Sequence, residues 1–189
     1  MIDFQAKLQA VAEILEGRVV GTSEVGPAVN VKGSILGFPA FLQAISPSWP
    51  FGVTYIIETE VIEDPNSPGN EDALNLVIYP RLGQGFWGFF SHILLFEAHS
   101  MSVSDKRLES RFNFSHNNKD EAERFVKYPG VADRLLALEK YAKFSELTVK
   151  SDAGLVLSQP KSFNSLDLDC CRSTFRTLAE IGQVIFDAF

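Results

Sequence analysis

The chain has 189 residues, 46% of them hydrophobic and 22% charged, and a net charge of −7. That length suits one domain able to hide roughly 70% of its unfolded surface without a staple of disulfides or metal, and the composition excludes intrinsic disorder. Nucleic acid is excluded as a partner, because Lys and Arg form no basic run and alternate with acids, as in Asp105-Lys106-Arg107-Leu108-Glu109.

The first predicted element is an amphipathic helix. Phe4, Leu8, Val11 and Leu15 recur at helical spacing, Asp3 stands at its start and Gly17 where it ends. From Arg18 to Leu42 the chain is rich in Gly, Val and Ile and reads as short strands, with a turn at Gly26-Pro27. The clearest strand runs from Val53 to Ile62, apolar on both faces at its start, as expected near the middle of a sheet. Asp64 to Asn70 is a loop by composition, and Ala73 to Tyr79 reads as the partner strand of a long-looped antiparallel hairpin.

Gly83 to Gly88 is a glycine and aromatic loop, and Phe89 to Met101 leans to strand, although strand and buried helix share its periodicity. Leu108, Ser110, Phe112 and Phe114 alternate with Glu109, Arg111, Asn113 and Ser115, the pattern of a half-buried strand. Asn118 caps a helix with Asp120 and Glu121 in its first turn, and Pro129 is placed to start a second through Val131, Leu135, Leu138 and Tyr141. Glu146–Lys150 and Leu155–Ser158 form a hairpin around Asp152-Ala153-Gly154. A last helix begins near Leu168 behind its cap Asp167, with Cys171, Phe175, Leu178, Gly182 and Ile185 on one face. Strands grouped between helices give an α+β fold, a single domain over residues 1–189. Its mostly antiparallel sheet carries an N-terminal helix, a central helix pair and a C-terminal helix.

From Ser104 onward the sequence resembles the C-terminal half of a widespread group of bacterial proteins of unassigned function. Asp105, Leu108, Phe112-Asn113-Phe114-Ser115, Ala122, Phe125, Tyr128-Pro129-Gly130-Val131 and Leu135-Leu136 carry the resemblance, together with the following hairpin and closing helix. Val31-Lys32-Gly33 to Phe38-Pro39-Ala40 is similar to an earlier strand pair of the same group. The likeness brings no activity and no site residue with it.

No membrane span is expected. Ile35 to Ile57 carries no charge over 23 residues, but Pro39, Pro47 and Pro50 interrupt it. The start, Met1-Ile2-Asp3-Phe4, is acidic and followed by periodic apolar residues, so no targeting segment is expected there. The two cysteines, Cys170 and Cys171, are adjacent, which suits neither a disulfide framework nor metal-ligand spacing and implies a reducing, cytoplasmic setting.

Catalytic motifs are weak. Gly83-Gln84-Gly85-Phe86-Trp87-Gly88 spells G-x-G-x-x-G after a strand, but Phe86 and Trp87 crowd it and no capped helix follows, so a turn is expected and no cofactor. His92, His99 and His116 lack i, i+4 spacing, and no metal site is expected. Asp167 and Asp169 resemble paired carboxylates, yet acids at a helix start are favoured by capping alone. Cys170, in the first helical turn near Arg172, has no general base beside it in the sequence pattern.

The feature that stands out is aromatic placement. Half of the chain's Phe, Tyr and Trp residues lie between Phe38 and Phe96, several in loops beside Pro or Gly where strand alternation cannot turn them all inward. The expectation is a non-enzymatic binding or interaction module that self-associates or takes a protein partner through loops around Trp49 and Trp87, with Phe86, Phe89, Phe90 and His92 beside them. The alternative is an enzyme for a small apolar substrate, with His92, Glu97 or His99 as acid or base.

Overall fold

The computed structural model describes residues 4–20, 28–45, 54–59, 73–81, 101–151, 154–159 and 166–188. Its elements, in chain order, are α1 (Phe4–Ile14), β1 (Arg18–Val20), β2 (Ala28–Ile35), β3 (Phe38–Ile45), β4 (Thr54–Thr59), β5 (Asn75–Pro80), α2 (Lys106–Arg111), β6 (Phe112–His116), α3 (Lys119–Lys127), α4 (Val131–Ala142), β7 (Glu146–Lys150), β8 (Gly154–Gln159) and α5 (Leu168–Ala188). The strands form one sheet in the order β1-β2-β3-β4-β8-β7-β5-β6, and every neighbouring pair is antiparallel. The fold is α+β, as expected.

Register explains which face carries helices. Val19, Val31, Leu42, Ile57, Leu157, Leu147, Ile78 and Phe114 follow one another across all eight strands. One residue along each strand, the row reads Arg18, Lys32, Phe41, Glu58, Val156, Thr148, Val77 and Ser115. Because side chains alternate, the described side chains of the first row make an apolar face and those of the second a mixed polar one. The helices bury the apolar face: Leu8 and Val11 of α1, Phe125 of α3, Leu135 of α4, and Phe175 and Leu178 of α5 all share its core. Each such side chain stabilises the fold by about 1.5–3 kcal/mol through burial.

The end of α1 meets β2 backbone to backbone. Leu15 accepts a hydrogen bond from the Ser34 N–H at 2.6 Å, and Gly17 and Gly33 face each other with no room for a Cβ on either. Gly17 therefore serves close approach. The left-handed residue that ends the helix is Glu16, with φ 48°. β2 and β3 are joined by the two-residue turn Leu36-Gly37, both at positive φ (52° and 86°), which matches the right-handed twist of a hairpin.

Two expectations are corrected. β5 does not pair with β4: it lies between β7 and β6, and the β7–β8 hairpin stands between it and β4. The alternating segment 108–115 is also half helix. Asp105 accepts from the Arg107 N–H at 2.9 Å and caps α2, which buries Leu108, and only from Phe112 does the chain extend. A smaller shift concerns α4, which starts two residues later than Pro129 suggests, after Gly130 at φ 85°.

The remaining helices start as their caps dictate. Asn118 accepts from the Glu121 N–H at 3.3 Å, and Asp167 from the Cys170 N–H at 2.8 Å. Thr174 and Thr177 lie buried in α5 because their hydroxyls donate to the carbonyls of Cys170 and Ser173. No described helix is long and apolar enough to cross a membrane. Where the uncharged run Ile35–Ile57 is described, it is strand and turn.

Candidate functional site

Three strand ends and two helix ends meet at one corner of the sheet. β5 leaves it at Pro80-Arg81, β6 enters it at Arg111-Phe112, and α4 runs into it before the chain passes through Lys143 and Phe144 into β7. The β5–β6 ladder continues one step beyond the strands, since the Arg81 N–H donates to the Arg111 carbonyl at 2.6 Å. The Arg81 guanidinium also donates Nε–H to the Phe112 carbonyl at 3.3 Å, which fixes the root of its side chain.

The helix end is fastened as well. Gln159, buried in β8, donates its side-chain amide to the Ala142 carbonyl, and the Lys143 N–H donates to the Glu139 carbonyl at 3.1 Å. These bonds satisfy carbonyls that a helix otherwise leaves without partners. Lys143 caps α4 in the left-handed region (φ 46°, ψ 53°), where glycine is the unstrained residue. A lysine there costs about 1 kcal/mol.

Between these parts lies a cleft of about 760 Å³. Arg81, Arg111, Lys140 and Lys143 line it together with one carboxylate, Glu139. Its apolar lining is Pro80, Leu136 and Phe144. Phe144 is held from behind by Phe112, with ring planes 11° apart and centroids at 6.2 Å. Arg111 reaches Glu139 at 3.3 Å, a pair whose arginine side chain is 61% exposed, so its guanidinium is free to turn toward a ligand at little cost. At the end of β5, burial and then the nearby Glu146 charge push the Tyr79 hydroxyl above its usual range. The arrangement has cationic heads around an apolar floor, and among the described residues no Ser, Thr, Cys or His lines it.

The aromatic residues singled out in the sequence, Trp49, Phe86, Trp87, Phe89, Phe90 and His92, lie outside the described residues, as do Glu97, His99 and the Gly83–Gly88 loop. Of the same aromatic stretch, Phe38, Phe41 and Tyr79 are described and are half-buried, whereas Phe112, Phe114, Phe125, Phe144 and Phe175 are buried. Lys32 places its ammonium 5.2 Å from the Phe41 ring centroid on the mixed face.

His116 sits at the far end of β6 from the cleft, in a polar dent with Asn75, Ser115 and Asn117. Cys171 is buried on α5 and packs as a small hydrophobe, and Cys170 is half-buried beside it. Asp167 is a helix cap. Among the described residues, no group of three or more His, Cys, Asp or Glu could hold a metal ion.

Sequence reasoning missed the cleft because its cations come from three separate places in the chain. A local signal existed: Lys140 and Lys143 crowd the end of α4 just before the aromatic Phe144. No family model matches the chain, and neither curated proteins nor solved structures gave a match.

Proposed function

We propose that this protein is a binding module that seats a small molecule in the cleft at the end of α4. One observation carries the reading: a cleft of about 760 Å³ combines an apolar floor with convergent polar groups, the form that small-molecule sites take at roughly 300–1,000 Å³. Binding without catalysis is supported by the described lining residues, which offer solvated cations and one paired carboxylate but, among them, no hydroxyl, thiol or imidazole. The test is an NMR titration of the ¹⁵N-labelled chain with a library of small aromatic fragments. Binding predicts amide shifts concentrated at Arg81, Arg111, Leu136 and Phe144. Shifts scattered over the surface, or none, would defeat the reading.

Self-association through the segments holding Trp49 and Trp87 belongs to the same proposal, with the clustering of aromatics between Phe38 and Phe96 as its support. It predicts a dimer by sedimentation velocity that dissociates at least tenfold more readily when Trp49 or Trp87 is changed to Ala. A monomeric parent chain, or unchanged sedimentation in both variants, would end that part of it.

A further inference from the structure

We infer that the ligand of this cleft is a small organic dianion, a phosphate monoester or a pair of carboxylates carried on an apolar body. The inference rests on the binding reading above and adds the charge and shape of what is bound.

Charge decides the first half. Arg81, Arg111, Lys140 and Lys143 bring four positive charges to a cleft whose described lining holds a single carboxylate, Glu139. Two helices, α2 and α4, also end here, and each C-terminus contributes at most about half a negative charge. Set against the four cations, these terms leave an excess of about two positive charges, in a chain whose net charge is −7. A monoanion leaves part of that excess unmatched, and a dianion closes it.

The bland explanation covers only part of the set. Arg111 and Lys140 lie in last helical turns, where the helix dipole alone favours cations. Arg81 follows a strand, so no helix of its own places it there. Lys143 occupies a left-handed position that glycine fills without strain, so its side chain stands there at a cost to the backbone. A strained residue beside a cleft is what a stability cost accepted for binding looks like.

Shape decides the second half. Leu136, Pro80 and Phe144 give the cleft an apolar floor that a bare inorganic anion would leave wet, and the volume exceeds what such an ion fills. Guanidinium groups suit paired oxygens, and Arg111 can exchange Glu139 for a ligand oxyanion of the same geometry.

The experiment titrates the full chain by calorimetry and NMR with phenyl phosphate, phenylsuccinate, inorganic phosphate and phenol. The two aromatic dianions are expected to bind at least tenfold more tightly than phenol or inorganic phosphate. Raising sodium chloride from 50 to 500 mM should weaken them at least threefold and leave phenol unchanged. Preference between phenyl phosphate and phenylsuccinate separates the two sources of the charge. The decisive variant is Lys143→Gly, which relieves the backbone: dianion affinity should fall at least fivefold while the melting temperature stays level or rises. Arg111→Gln provides a second, independent loss of affinity. Phenol binding as well as phenyl phosphate would overturn the dianion and leave the cleft a binding site. If none of the four probes moves the cleft resonances, both readings fall. A Lys143→Gly protein that binds dianions as the parent does would overturn the assignment of that residue.

Discussion

Gly33→Ala is expected to destabilise the protein by about 3 kcal/mol, measured as a drop in the urea midpoint at constant slope. The reason is contact between main chains. A Cβ at Gly33 would stand 2.2 Å from the Leu15 carbonyl oxygen, 2.7 Å from the Leu15 Cβ and 2.9 Å from the Gly17 Cα. None of these is the far end of a flexible side chain, so relief requires the end of α1 to lift from β2. Lifting it breaks the 2.6 Å bond from the Ser34 N–H to Leu15. Overpacking costs roughly 1–3 kcal/mol and the lost hydrogen bond about 1 more. Against that, alanine stiffens the unfolded chain by under about 1 kcal/mol.

Gly37→Ala is the control. That glycine has φ 86° but nothing within 4 Å, so its replacement costs only the left-handed strain of about 1–2 kcal/mol. If Gly33→Ala proves no worse than Gly37→Ala, the tight seating of α1 on the sheet is wrong.

The same junction shows which parts of the fold the sequence discloses. Helix starts were legible because a cap is a local event: Asn118 and Asp167 each bond an N–H three residues on, so residue type and spacing suffice. The last helix was legible from its apolar face, and the closing hairpin from the Asp152-Ala153-Gly154 turn. Segment 108–115 misled because Leu108 and Phe112 are four apart, a spacing that fits a helix as well as alternation, and the deciding cap was Asp105, outside the pattern.

Strand adjacency is a different problem. β4 and β5 are consecutive and suit a hairpin, yet the pairing that wins places β8 beside β4 and β7 beside β5. The core face requires one unbroken apolar row, and Leu157 and Leu147 carry it on from Ile78. That requirement belongs to the whole sheet, so no window of the sequence expresses it. The cleft follows from the same topology. Arg81 and Arg111 become neighbours only because β5 and β6 pair, and Lys140 and Lys143 join them only where α4 ends above β7.

A second large effect is expected in alkaline solution, at Cys171. This thiol is buried on the inner face of α5, and loss of water raises it to about 12, with the charges of Cys170 and Asp167 pushing the same way. The unfolded chain gives up the same proton near 9. Between those values the folded protein holds a proton that the unfolded chain releases, so unfolding is favoured as pH climbs. The stabilisation is complete below about 9 and disappears as pH rises through about 12, at about 1.4 kcal/mol per unit. By pH 10.5 the loss from this residue is about 2 kcal/mol. Cys171→Ala removes the titration and leaves a small void costing about 1 kcal/mol at every pH. The two stability curves should therefore cross. The variant is weaker than the parent at pH 7 and stronger by about 1 kcal/mol at pH 10.5, read from urea denaturation at each pH. Curves that stay parallel from pH 7 to 10.5 would mean that the Cys171 thiol meets water in the folded state, and that α5 does not seal the core at that turn.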